Sequence, residues 1–379
     1  MFKNNYTLVP MQITDFIVHQ LSIPLNTPFK IADSTQTVYN GIILELKTDT
    51  GLTGFGESAP SARVTGETPA SVMNALETKV KPLVIGRDAL ELEHIMCELE
   101  QELPNQPSAC CAVDIALHDL KGQEAKLPIK HLLGGYRDEI PISFTVVIGS
   151  IEDTIQSAQQ YLDQGARVLK VKLGVDPELD IQRIAALREA FGYEIKLTGD
   201  ANQGYTVKQA IRTLNALDCY ELEFVEQPVA VDDLLGLQEV HQATTIPIMA
   251  DEAAQSVANV MDLIKLDAVD MVNIKLQKCG GLRNAVKISN ITEAAGKPCQ
   301  IGCMIETGVG ITTGTHLALA LKNIQYADLD GHLFLAQDII SGHQLTRNGA
   351  NTISDKPGLG VCVSTIKDLK GKEFPPRTP

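Results

Sequence analysis

The chain has 379 residues, is 44% apolar and carries a formal net charge of −15. Such a length exceeds one typical domain and can bury a large core. The acidic balance excludes general nucleic-acid or anionic-membrane binding, since both favour basic surfaces, and no stretch approaches the apolar length needed to span a bilayer.

In chain order, the opening "MFKNNYTLVPMQITDF" has no uninterrupted apolar run, so a signal peptide is not expected. Residues 1–135 read as a mixed α+β domain. "QITDFIVHQLSI" and "GIILELKTDTGLTGFGES" have the composition of strands around a Gly-containing turn. "TPASVMNALETKVKPLVIG" and "QPSACCAVDIALHDLKGQEA" read as helices with small or apolar faces. The eight cysteines form no C-x-x-C pair, and the adjacent Cys110 and Cys111 suit buried thiols, so a reduced, cytoplasmic protein is expected.

From residue 141 the pattern becomes regular. β-rich runs begin near Ile142, Val168, Glu194, Glu221, Ile246, Val269, Pro298 and Tyr326, roughly 25 residues apart. Helical patterns such as "DPELDIQRIAALREAFG" and "GLRNAVKISNITEAAG" lie between them. Repeated strand–helix alternation implies a parallel sheet. The polar residues cluster at the C-terminal ends of nearly all the runs and not at one switch point, which predicts a (β/α)8 barrel over 136–355 in place of an open doubly wound sheet. The tail, 356–379, falls outside the repeat and is expected to pack back on the first domain.

The strand ends carry the chemistry. The second barrel strand ends in Lys170 and Lys172, the third in Asp200, the fourth in Glu226, the fifth in Asp251 and the sixth in Lys275; the eighth carries Asp328 and Asp330. A single strand-end Asp often serves as a helix cap or loop salt bridge. Three carboxylates in register on adjacent strands would repel one another, and a hard divalent cation resolves that; oxygen-only ligands favour one Mg²⁺. In a ring of eight, strands two and six lie opposite each other, so Lys172 and Lys275 face across the mouth. A substrate carboxylate on the metal would hold its α-carbon between two amines, one removing a proton and the other returning one to the opposite face through an enediolate. Residues two apart in a strand share a face, so Lys170 beside Lys172 is expected to lower the pKa of the pair by repulsion, making a neutral amine available. Asp328 and Asp330 then form a receptor for a substrate ammonium, a span that suits a dipeptide better than a free amino acid. The blander reading, in which lysines snorkel into solvent and the two Asp are loop charges, stays open.

These residues give the chain a resemblance to the enolase superfamily, muconate-lactonizing-enzyme subgroup, carried by "KVK", "GDANQGY", "VEQP", "ADE", "NIKLQKCGG" and "PGLG". The resemblance implies that residues 1–135 form a capping domain that acts as lid and specificity element. It also implies that Asp200, Glu226 and Asp251 bind Mg²⁺, and that Lys172 and Lys275 are the acid/base pair. The D-L-D of Asp328–Asp330 is similar to that of the dipeptide epimerases, which often act on L-Ala-D/L-Glu, a dipeptide of cell-wall peptide recycling. The first capping loop, "TPFKIADST", lacks the Arg that a glutamyl side chain would call for; Lys30, or Arg63 in "SARVTGET", could meet a substrate carboxylate, or both could be solvated loop cations. Both loops are expected to form a lid.

Glu306 could line the pocket or cap the helix after it, and "TGVGITTG" resembles a phosphate-binding turn without the spacing of a nucleotide motif. Among the histidines only His332, after the D-L-D turn, stands near the expected site. The leading expectation is a Mg²⁺-dependent dipeptide epimerase that is a homo-oligomer. The alternatives are an N-acylamino acid racemase, an o-succinylbenzoate synthase or a cycloisomerase, or a non-catalytic ligand-binding barrel.

Overall fold

The computed structural model describes residues 10–31 and 34–364. Three antiparallel strands, β1 (Ile13–Ile31), β2 (Ser34–Thr48) and β3 (Thr53–Ser58), open the chain in that spatial order. Five helices follow: α1 (Pro69–Ala75), α2 (Lys81–Val84), α3 (Leu92–Glu102), α4 (Pro107–Ala125) and α5 (Ile129–Leu133). The run "GIILEL" does not alternate because β2 is buried on both faces. Ile42, Leu44 and Leu46 join a core with the helices, whereas Ile43 joins the core shared with the barrel. Helix α4 presses against β3 so closely that a Cβ on Gly56 would stand 1.8 Å from the Ala112 carbonyl oxygen, which is why this strand carries glycine. The first expected helix is interrupted: a π-turn at Leu76–Val80 separates α1 from α2, just before Pro82, whose ring supplies no N–H.

A short strand, β4 (Glu139–Pro141), leads into the barrel. Its strands are β5 (Ser143–Val146), β6 (Val168–Lys172), β7 (Lys196–Asp200), β8 (Leu222–Glu226), β9 (Ile248–Ala250), β10 (Met271–Lys275), β11 (Cys299–Gly302) and β12 (Ile324–Asp328). The sheet order is β5 to β12 without a crossover and every pairing is parallel. Each strand begins within two residues of its expected start. The barrel is nearly closed, and side chains bridge the β12–β5 seam. Ser143 Oγ donates to Asp328 Oδ1 at 3.1 Å, and the Thr145 N–H donates to Asp330 Oδ2 at 2.8 Å.

Helices α6 (Ile151–Asp163), α7 (Pro177–Phe191), α8 (Val207–Leu217), α9 (Leu234–Ala243) and α10 (Val257–Leu266) return the chain between strands. A single turn, α11 (Leu276–Cys279), precedes α12 (Leu282–Ala294), and α13 (Gly308–Ala320) completes the ring. Among the described residues no helix is long and apolar enough to cross a membrane.

Of the expected tail, residues 365–379 lie outside the described residues. Within the described part, Leu359 touches both halves of the molecule. Its N–H donates to Asp119 Oδ1 of α4 at 2.9 Å, and its carbonyl lies 3.1 Å from His316 Nε2 of α13.

Candidate active site

Strand register builds the site. Lys172 of β6 pairs with Asp200 of β7, and Asp200 pairs with Glu226 of β8, so three charged side chains share one level of the barrel. Asp251 follows β9 directly. Lys275 ends β10 level with Gly302, and Gly302 is level with Asp328 of β12. A side chain at Gly302 would collide with this ring: its Cβ would stand 2.6 Å from Asn273 Oδ1 and 3.0 Å from Lys275 Cε.

All these charges are buried, and they are paired. Lys170 Nζ lies 2.7 Å from Asp328, 2.7 Å from Glu226 and 2.9 Å from Asp200. Lys172 Nζ donates to Asp200 Oδ2 at 2.7 Å and to Asn202 Oδ1 at 3.1 Å. Lys275 Nζ donates to Asp251 Oδ2 at 2.7 Å. A fourth lysine, Lys278, donates to Asp251 Oδ1, to the Asp251 carbonyl and, at 3.0 Å, to the Asn273 carbonyl.

This arrangement corrects the expectation of a lowered pKa as far as Lys170 is concerned. Burial alone would push the Lys170 ammonium down, but Asp200, Asp328 and Glu226 outweigh it and hold Lys170 well above the usual lysine range. Lys275 is also raised: burial opposes the shift, and Asp251 and Glu226 overcome it. Among the carboxylates the balance differs by partner. Burial pushes Asp200 up, and Lys170 and Lys172 pull it further down, to about 2. Glu226 is pushed up to about 8 by burial, against the pull of Lys170 and with the repulsion of Asp200 and Asp251 added.

Asp200, Glu226 and Asp251 each offer an oxygen, and the three oxygens lie within 4.8 Å of one another. Glu226 Oε2 lies 2.7 Å from Lys170 Nζ as an ion pair and has no hydrogen-bond partner among the described residues. A buried carboxylate oxygen left in that state, in an all-oxygen donor set, fits a hard divalent cation such as Mg²⁺. Asn273 holds the other oxygen of Glu226 by donating from Nδ2.

Lys170, Lys172, Asp251, Lys275, Asp328 and Asp330 all line one cavity of 420 Å³. Lys172 and Lys275 sit four strands apart in the order of eight, on opposite sides of it. The roof comes from the first domain and includes Phe29, Ile31, Val38, Arg63 and Val64. The structure separates the two aspartates that the sequence treats as one receptor. Asp328 is spent on Lys170 and Ser143, whereas Asp330 accepts one backbone N–H and is pushed up to about 7 by burial and by Asp328.

Other candidates are placed differently. Lys30 is exposed and absent from the cavity wall, because its strand neighbours Phe29 and Ile31 take the inward positions. Arg63 lines the cavity, with Nη1 donating to Ser34 Oγ at 3.4 Å. Glu306 is buried behind Ile305, accepts from the Met304 N–H at 2.8 Å, and is pushed up to about 8 by burial and by Glu57. His332 turns to Thr346, 3.2 Å away. The turn "TGVG" does hold an anion, and that anion is the chain's own Glu57. Its carboxylate accepts from the Thr307 N–H at 2.8 Å, from Thr307 Oγ1 at 2.6 Å and from the Gly310 N–H at 2.7 Å.

Sequence reasoning passed over Asn202, Glu252, Asn273 and Lys278, although each lies in or beside a motif already singled out. Lys278, three residues after Lys275, had a legible signal: one helical turn brings both to the same side.

Comparison with known proteins adds the following. The family model "Mandelate racemase / muconate lactonizing enzyme, N-terminal domain" matches residues 13–134, and "Enolase C-terminal domain-like" matches residues 153–367. The L-Ala-D/L-Glu epimerase of Clostridium acetobutylicum is 38% identical over 353 residues, covering 93% of this chain and 99% of that protein. The hydrophobic dipeptide epimerase of Enterococcus faecalis is 39% identical over 353 residues, covering 93% of this chain and 99% of that protein. A solved structure of the Enterococcus faecalis dipeptide epimerase complexed with Mg and the dipeptide L-Leu-L-Tyr matches with a TM-score of 0.90 at 39% identity, over 93% of this chain and 99% of that one.

Proposed function

The chain belongs to the enolase superfamily, and on that premise we propose that Lys172 and Lys275 carry a proton between the two faces of one α-carbon, that of the C-terminal residue of a dipeptide. The protein is an isomerase, a dipeptide epimerase. One observation carries the reading: two lysines from opposite sides of the barrel line a single cavity, and the strands between them carry a three-carboxylate cluster whose Asp251 reaches the cavity wall.

Mg²⁺ is the cofactor. Asp200, Glu226 and Asp251 would hold it, and when bound it supplies positive charge that withdraws electrons from a substrate carboxylate and acidifies the adjacent C–H. The chain's own residues do the rest. One lysine takes the α-proton and the other delivers its proton to the opposite face, inverting the centre; solvent exchange then resets both amines. Lys170, locked by Asp328, keeps its charge beneath the reacting centre. Asp330 receives the substrate ammonium, and the roof of Phe29, Ile31 and Val64 excludes water.

For the inverted residue we favour an apolar side chain. Phe29, Ile31, Val38, Val64, Met304 and Ile305 line the cavity, and Arg63 is the one cation that the first domain's described residues add to its wall. We place the protein in the cytoplasm, a reading supported by its eight unpaired cysteines.

The test is α-proton exchange in D₂O with Mg²⁺ and L-Ala-L-Leu or L-Ala-L-Glu. Deuterium should enter only the C-terminal residue, and faster for leucine. Lys172→Ala and Lys275→Ala should each slow epimerisation roughly 10²–10⁴-fold, with loss of exchange from opposite configurations. Exchange surviving from both configurations in each variant would overturn the two-base reading. Faster turnover of N-acylated amino acids, which have no ammonium for Asp330, would move the assignment to an N-acylamino acid racemase.

A further inference from the structure

We propose that Lys278 restricts Asp251 to one ligand oxygen and so sets the site's preference for a small divalent cation over a larger one. This rests on reading Asp200, Glu226 and Asp251 as the cation's ligands. An ammonium has three N–H donors, and those of Lys278 are matched by three acceptors: Asp251 Oδ1, the Asp251 carbonyl and the Asn273 carbonyl. Its side chain is 0% exposed and does not reach the cavity wall, so it touches no substrate; it is a positioning residue.

Lys275 is bound differently. It donates to Asp251 Oδ2, and it stands on the cavity wall. The two oxygens of Asp251 are therefore unequal. Oδ2 faces a lysine that can turn into the cavity. Oδ1 faces a lysine pinned by two backbone carbonyls, and freeing Oδ1 would leave a buried ammonium donor unpaired. Asp251 can then serve a cation through Oδ2 alone. Mg²⁺ takes six ligands at about 2.0–2.1 Å, whereas Ca²⁺ takes six to eight at about 2.3–2.6 Å and gains from bidentate carboxylates. Locking Oδ1 denies the larger ion its extra ligand.

The test uses the metals alone, with no dipeptide present. Mg²⁺ and Ca²⁺ affinities are measured by titration calorimetry for the native protein and for Lys278→Met, with thermal unfolding as a folding control. Removing one positive charge shifts the affinity for both divalent ions alike, so their ratio reads denticity. The Mg²⁺-over-Ca²⁺ preference should fall roughly ten-fold or more in the variant. An unchanged ratio in a folded variant would sink the proposal. If Lys278→Met does not fold, a crystal structure of the native protein with Mg²⁺ decides: Asp251 should bind through Oδ2 with Oδ1 still on Lys278, and Oδ1 on the ion overturns the idea. Failure of the epimerase reading would appear only in the exchange assay and leaves these outcomes intact, whereas native protein that binds neither ion removes both the metal reading and this one.

Discussion

Two lysines two residues apart on β6 have different work because they meet different oxygens. Lys170 points to the carboxylates of three strands and is held charged by them, and Lys172 meets Asp200 and Asn202 at the edge of the cavity. Burying the Lys170 ammonium is tolerable here because carboxylates of three strands enclose it. The same logic divides Asp328 from Asp330. Asp328→Asn removes one of the three carboxylates that face Lys170 and should lower both kcat and thermal stability. Asp330→Asn keeps the seam hydrogen bond possible and should raise KM for a dipeptide about ten-fold or more, with a smaller effect on kcat, as read by steady-state polarimetry. A pH signature goes with it. Burial and Asp328 push the Asp330 carboxyl up to about 7, so in native protein it loses its charge as pH falls below that value. KM should therefore rise on acidification in the native protein and stay flatter in Asp330→Asn.

At the scale of elements, the barrel works by register. A parallel ladder sets Lys172, Asp200 and Glu226 at one height, and a parallel pairing on the other side sets Lys275 beside Gly302 and Asp328. Strand starts were legible because each run is a short apolar stretch bounded by turn residues, a local signal. The break between α1 and α2 was less so: the apolar spacing reads through Pro82, and only the missing N–H marks the interruption. Gly302 is where strand and site meet. Gly302→Ala should push Lys275 and Asn273 out of place, cost about 1–3 kcal/mol of stability by overpacking and slow epimerisation more than it weakens substrate binding. Native kcat in a folded Gly302→Ala protein would show that β11 does not constrain Lys275.

For the whole molecule, the first domain closes the site and is tied to the barrel by a buried carboxylate. Glu57 of β3 accepts two backbone N–H groups and a hydroxyl at the start of α13, and Tyr39, which lines the cavity, donates to the same carboxylate. Glu306 lies close behind, and a charge on Glu57 repels one on Glu306. Burial first, and Glu57 second, raise Glu306 from 4.5 to about 8, so the folded protein retains a proton that the unfolded chain releases at lower pH. The stability from that proton is fully present below 4.5 and is lost as pH rises through about 8. Glu306→Gln, which cannot ionise, should therefore gain on the native protein as pH rises. The difference in Tm between variant and native should become more positive by roughly 3 °C or more from about pH 5 to about pH 9. A difference independent of pH would mean that Glu306 is ionised throughout.

The strand–helix repeat, the parallel barrel and the positions of lysine and carboxylate at strand ends were all determined by sequence alone, because period, turn residues and strand termini are local properties of a chain. Which atom meets which was decided only by tertiary structure. Glu57 reaches Thr307 across 250 residues and Lys170 reaches Asp328 across 158, and no local pattern encodes such pairings. Lys30 turns outward for the same reason: which face of β1 is buried depends on the barrel beneath it. Asn273 went unread because its partner is a carboxylate of another strand, brought near only when the ring of strands closes; for Lys278 the spacing from Lys275 was legible, and only its acceptors on Asp251 and Asn273 were not.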